Sequence, residues 1–216
     1  LDDDATGPGV EFQFVLAEAD LQAVGGEGSL ELIKRYRLAK TPPQELANSS
    51  FPSYHLKLEL EIRNPGGNPQ QLAYRLDGSS GLPLVSWWYL AKIHPRMFAA
   101  AGARDVIWNT PATGHGLIGG SKIYTDAKEA LEKNQPWHIP LWADPQPQPL
   151  GYVGVDTQYF ATVLEPKQDE SAPPMLFKQA LALPVGEIDP DDKAKQKTTD
   201  VSFRLISPAH TVPAGG

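Results

Sequence analysis

Residues 151–166, GYVGVDTQYFATVLEP, form a long β-rich run set off by Pro149 and Gly151 and closed by Pro166. Read with a period of two, Val153, Val155, Thr157, Tyr159, Ala161 and Val163 fall on one side of a strand. Tyr152, Gly154, Phe160, Thr162 and Leu164 fall on the other. Both sides are largely apolar. A strand covered on both faces lies between packed layers, so the run predicts one central strand of a β-protein. Asp156 and Gln158 interrupt it as polar residues that need hydrogen-bond partners if they are buried.

The segments around this run extend the same reading. Residues 10–17 (VEFQFVLA) have the composition of a strand. Residues 29–39 alternate Leu30, Leu32, Tyr36 and Leu38 against Glu31, Arg35 and Arg37, as a half-exposed antiparallel strand does. Residues 54–63 carry the cleanest signal: Tyr54, Leu56, Leu58, Leu60 and Ile62 alternate without error against His55, Lys57, Glu59, Glu61 and Arg63. That pattern predicts one face on a core and one in water. Asn64-Pro65-Gly66-Gly67-Asn68-Pro69 then reads as a turn, and residues 70–77 (QQLAYRLD) as the returning strand of a hairpin. Residues 105–109, 175–183 and 201–206 read as further strands, and 186–200 as a charged loop.

Two helical inserts are expected. Residues 95–101 (PRMFAAA) have Pro95 in the first turn and Gly102 as a stop. Residues 126–134 (DAKEALEKN) have Asp126 as cap, with Lys128/Glu132 and Glu129/Lys133 four apart. The intervening 110–121 (TPATGHGLIGGS) reads as a flexible glycine-rich loop. Strand after strand with two short helices predicts an all-β antiparallel sandwich, and 216 residues suit a single domain over 1–216.

Composition narrows the partners. An apolar fraction of 41% with 21% charged residues is that of a globular chain with a core, and 21 prolines with 19 glycines favour strands joined by turns. The net charge of -7 argues against a phosphate-tracking surface, so nucleic acid is not an expected partner. With no cysteine, thiolate metal sites, disulfides and Cys nucleophiles are excluded. The most apolar window, 81–91 (GLPLVSWWYLA), is about half the roughly 20 residues of a spanning helix, and Pro83 interrupts it. The start at Leu1, without an initiator Met or signal-peptide pattern, is read as that of a piece of a longer protein.

No catalytic, metal or cofactor-binding residue is expected. His55, His94, His115, His138 and His210 are scattered, with no HxH or HExxH spacing. Residues 113–116 (TGHG) and 119–121 (GGS) fit none of GxxxxGK[ST], GxGxxG or GxSxG, and Ser86 and Ser121 stand in no triad pattern. Trp87 and Trp88, with Trp137 and Trp142 among the prolines of 135–149, make a possible interaction surface, by stacking on sugar rings or anchoring a protein. Core filling is their alternative role.

The run GYVGVDTQYFATVLEPK also resembles the most recognisable soluble segment of the YidC membrane insertase family, bacterial relatives of the Oxa-type insertases. The matching positions are Gly151, Tyr152, Val153, Gln158, Tyr159, Phe160, Ala161 and Pro166. Upstream, IKRYRL followed by YHLKLELEIRNPGGNPQQLAYRL is similar to that family's paired strands and Asn-containing turn; downstream, VSFRLISPAHTVPAGG resembles its later strand and Pro-Gly turn. The resemblance spans roughly 29–216 and implies the large periplasmic domain of such an insertase, an antiparallel β-supersandwich similar to the galactose mutarotases. It implies a place at the periplasmic face of the bacterial inner membrane and partners such as Sec-translocon subunits. It carries no catalytic residue, because the family inserts proteins through membrane helices. On this reading Asp156 and Gln158 are structural hydrogen-bonders with no open pocket converging on them. The rival expectation is a carbohydrate-binding or mutarotase-like β-sandwich, which needs a His and a carboxylate in one cleft.

Overall fold

The computed structural model of the chain describes residues 6–23, 26–50, 55–84, 104–135, 137–157, 159–167, 174–189 and 191–215. The fold is all-β, built of antiparallel sheets with few short helices. The chain divides into two compact units, residues 1–72 with 209–216, and residues 73–208. The helix expected over 95–101 lies outside the described residues.

In the first unit, β1 (Thr6–Leu16), β2 (Leu30–Ala39) and β3 (Leu56–Arg63) form an antiparallel sheet in that order. The helix α1 (Glu18–Gln22) follows β1; it opens with Asp20 accepting the Ala17 N–H at 3.0 Å and buries Leu21. The strands form because their alternation gives each a single apolar side, and the register lines those sides up. Phe12 faces Lys34, Phe14 faces Leu32, Tyr36 faces Leu58 and Leu32 faces Ile62.

The opposite face of this sheet is mostly polar, with the buried Ile33 and the exposed Val15 among its apolar residues, and Arg35 ties its three strands together. Its guanidinium donates to Glu61 at 2.6 Å and Glu59 at 3.1 Å on β3, and to Glu11 at 2.6 Å on β1. Hydrogen bonds with Glu61 and then Glu11 hold Arg35 above its ordinary range. Hydrogen bonds from Arg35 and then Arg63 hold the Glu61 carboxyl below its ordinary 4.5. A carboxylate with a lowered folded pKa contributes stability that is fully present above its unfolded pKa and is lost as pH falls through the folded one. Wild-type Tm is therefore expected to fall more steeply below about pH 4.5 than that of Glu61→Gln, which lacks this titration. Parallel slopes in a pH series of thermal melts would count against the linkage.

The hairpin expected from 54–63 and 70–77 does not form. Among the described residues β3 pairs with β2 alone, β4 (Gln70–Leu72) pairs with β15 (His210–Val212), and the return run breaks before a separate strand, β5 (Arg75–Asp77). Asn64 supplies the reason. Fully buried, it donates from Nδ2 to the carbonyls of Asn68 (2.8 Å) and Val212 (3.3 Å), and its Oδ1 accepts the Gly66 N–H (3.0 Å). The turn is thereby fastened to the C-terminal strand, and β4 follows it there.

Among the described residues, the second unit is a β-sandwich of two four-stranded antiparallel sheets. One has the order β11-β10-β6-β7, with β6 (Asp105–Thr110), β7 (Gly114–Gly119), β10 (Tyr152–Asp156) and β11 (Ala161–Leu164). The other has the order β5-β14-β13-β8, with β8 (Ile139–Pro140), β13 (Gln179–Val185) and β14 (Asp200–Ile206). β9 (Gln148–Pro149) and β12 (Leu176–Phe177) form a short pair beside them. Val106, Val153 and Val155 of the first sheet meet Ala182, Phe203 and Leu205 of the second in one buried cluster.

Four expectations are corrected here. The run 151–166 is a hairpin rather than one strand: Val155 pairs with Thr162 and Asp156 with Ala161. Thr157 causes the reversal, because its N–H donates to the Phe160 carbonyl at 2.7 Å while its hydroxyl accepts the Phe160 N–H at 3.1 Å. Half of the loop expected over 110–121 is β7, and two of its glycines serve close packing. A Cβ on Gly116 would lie 2.2 Å from the Trp108 indole, and one on Gly120 would lie 2.4 Å from the Arg104 carbonyl oxygen. The helix expected from Asp126 begins six residues earlier, as α2 (Gly120–Glu132), so Asp126 is an interior residue paired with Lys122 at 2.6 Å. Gly120, Ile123, Tyr124 and Ala127 form its buried stripe at helical spacing. A further short helix, α3 (Lys193–Thr198), stands in the segment expected as a charged loop.

Candidate functional site

Three places carry the residues singled out by sequence. The first is the β10–β11 hairpin. Gly151 sits tight against Asn109, whose Oδ1 would be 2.7 Å from a Cβ, and its N–H donates to the Asn109 carbonyl at 2.9 Å. At the tip and along the edge strand, Tyr159, Phe160 and Ala161 are exposed, while Pro166 is buried. Gln158 lies outside the described residues.

The second is the face of the β11-β10-β6-β7 sheet turned away from the buried cluster. The register sets Tyr152, Asn109 and His115 in one row across β10, β6 and β7, and Val163, Gly154, Ile107 and Leu117 in the next. His115 Nδ1 and the Tyr152 hydroxyl are 2.6 Å apart, spanning the strand between them. Gly154 leaves no room at the centre, since a Cβ there would come within 2.5 Å of the Thr162 carbonyl oxygen. Asp156, expected as a mid-strand hydrogen-bonder, is the last residue of β10 and half-buried. Burial raises its pKa, while the charge of His115 and its own backbone N–H pull it down. A carboxyl with a raised folded pKa leaves stability fully present below its unfolded value and loses it as pH rises through the folded one. Asp156→Asn is therefore expected to raise Tm at pH 7, with the gap to wild type closing below about pH 3.8. An equal gap at both pH values would reject this burial cost.

His115 and Tyr152 are 37 residues apart, and residues 110–121 read as a loop, so nothing in the local pattern joins them. Only the strand order does. The other described histidines, His55, His138 and His210, are exposed and scattered, and His94 lies outside the described residues. Among the described residues, no three His, Asp or Glu side chains gather as metal ligands do. Ser121 lies in the first turn of α2, where its carbonyl accepts from Thr125 at 2.9 Å.

The third place is the apolar face of the β1–β3 sheet. The alternation of residues 54–63 predicts that this face meets a core, but the structure leaves much of it open: Phe14 is 51% exposed and Leu56 64%. Phe12 stacks edge-on against Tyr36 at 6.3 Å, and Lys34 places Nζ 5.1 Å from the centre of the same ring. The result is a largely uncharged surface that carries Phe12, Phe14 and Tyr36 beside Lys34.

The tryptophans divide. Trp142 is 8% exposed and belongs with Leu141 to the core of the second unit, so it fills the core, while residues 143–147 that follow it are exposed. Trp137 is 39% exposed. Trp87, Trp88 and Ser86 lie outside the described residues. No helix among the described residues is long and apolar enough to cross a membrane. No family model matches the sequence, and no curated protein matches it.

Proposed function

We propose that the chain is a periplasmic domain of a YidC-like membrane insertase, acting as a non-catalytic module that docks partners or steadies the membrane-embedded part. It works at the periplasmic face of the bacterial inner membrane, and its partners are Sec-translocon subunits. The carrying observation is the open apolar face of the β1–β3 sheet, because an exposed patch of this kind on a folded chain marks a binding surface. The likeness of residues 151–166 to the insertase family supplies the choice of partner, and the exposed Tyr159 and Phe160 at that hairpin's tip offer a second contact. Two tests apply. The reading frame around this chain should encode hydrophobic helices before Leu1 and after Gly216, and a complete frame without them sinks the proposal. The tagged chain, incubated with purified translocon subunits, should retain them on a column.

A second reading, carbohydrate binding, rests on the row formed by Tyr152, Asn109 and His115 with Asp156 at the far end of β10. A flat sheet face bearing a ring and hydrogen-bonding groups suits a sugar. A glycan array probed with wild type and Tyr152→Ala decides it: a hit lost in the variant supports this reading, and an empty array removes it.

A further inference from the structure

We infer that the apolar face of the β1–β3 sheet receives one amphipathic helix of a partner protein, about five turns long, carrying a carboxylate in the middle of its apolar stripe. The inference rests on the docking role proposed above and names the kind of partner segment that fits. Size comes first. Three strands about 4.8 Å apart span roughly 10 Å between their outer axes, which is the width of one helix with its side chains. The eight residues of β3, at roughly 3.3 Å each, run about 26 Å, which a helix covers in roughly 18 residues.

Charge then selects among occupants. At the register positions of this face, among the described residues, Lys34 is the one charged side chain; Val10, Phe12, Phe14, Leu38, Leu56 and Leu60 are apolar and 36% to 64% exposed. Covering the face takes Lys34 out of water, which is unfavourable without an anionic partner. A second copy of this chain brings a second Lys34 and no carboxylate on the same face. An isologous dimer thus sets two ammonium groups in one dry layer. An anionic bilayer offers phosphates to Lys34, but the chain as a whole carries a net charge of -7 and is repelled from it. A helix that presents Leu or Phe on one stripe with a single Glu at its centre fits the width and length of the face and pairs the lysine.

The test uses the full chain and two synthetic 18-residue amphipathic peptides. They are identical except for Glu or Lys at the centre of the apolar stripe, and binding is followed by fluorescence anisotropy. The Glu peptide is expected to bind at least tenfold more tightly than the Lys peptide, Lys34→Glu to reverse that preference, and Phe14→Ser with Leu56→Ser to abolish both. Because Phe14 and Leu56 are exposed, circular dichroism should report the double variant as folded. Binding of neither peptide, or a preference unchanged in Lys34→Glu, overturns the proposal. So does a dimer in sedimentation that Phe14→Ser dissolves, or flotation of the chain with anionic vesicles. Translocon capture separates this proposal from the broader one. If capture survives Phe14→Ser with Leu56→Ser, this face is not the docking site while the insertase role stands. If wild type captures nothing, the insertase role itself falls.

Discussion

Phe203→Ala is expected to cost about 3–5 kcal/mol of stability, the range for deleting a buried aromatic ring, which is a large share of the roughly 5–15 kcal/mol that holds a domain folded. Phe203 is 1% exposed, stands in the middle of β14 opposite Ala182, and belongs to the cluster shared by the two sheets of the second unit. Ala182 is small on one side and Gly78 has no side chain on the other, where a Cβ would come within 2.4 Å of the ring. The site therefore has little material to collapse into the cavity that alanine leaves. Urea denaturation should show the midpoint falling by this amount. Phe203→Leu, which keeps most of the volume, should lose only about 1–2 kcal/mol. Gly78→Ala provides an internal check, since it should be damaging beside the intact Phe203 ring and tolerated when combined with Phe203→Ala. A double-mutant cycle with no such coupling would contradict the packing described.

Asn64→Ala should weaken the first unit by about 2–4 kcal/mol. Three buried hydrogen bonds are lost, and the carbonyls of Asn68 and Val212 and the N–H of Gly66 are left to find other partners. The loss should be local as well as global. In hydrogen exchange, amides of β4 and β15 should lose protection before those of β1–β3, because Asn64 joins the turn to the strand that pairs with β4. Asn64→Asp is a sharper variant: its carboxylate can still accept the Gly66 N–H but cannot donate to either carbonyl. It should be as damaging as alanine at pH 7 and partly restored in acid, where a protonated carboxyl regains one donor. Uniform loss of protection across the unit would mean that Asn64 acts only through overall stability.

Much of the strand content is legible from alternation alone. β2, β3, β6 and β14 lie within a residue or two of where their patterns place them. The errors fall where side chains redirect the backbone. Thr157 folds one expected strand into two, and Asn64 sends residues 70–72 away from β3. Gly116 and Gly120, read locally as flexibility, are small because Trp108 and the Arg104 carbonyl occupy the space beside them. A glycine needed for close approach looks the same in a sequence as one needed for a turn. The candidate surfaces were less visible still. Tyr152 and His115 meet only through the intervening β6, and Trp142, conspicuous among prolines, turns into the core.

What the amino-acid sequence determined by itself is the class and the faces: antiparallel strands, with one apolar and one charged side on β2 and β3. These follow from a period of two, which acts between near neighbours. What only the tertiary structure decided is which edges meet. β4 joins β15, and Asn64 bonds Val212, 148 residues away. Alternation says which way a side chain points from its strand and carries no information about the strand alongside. That choice depends on buried polar groups and close glycine contacts, which exist only once the distant segments have come together.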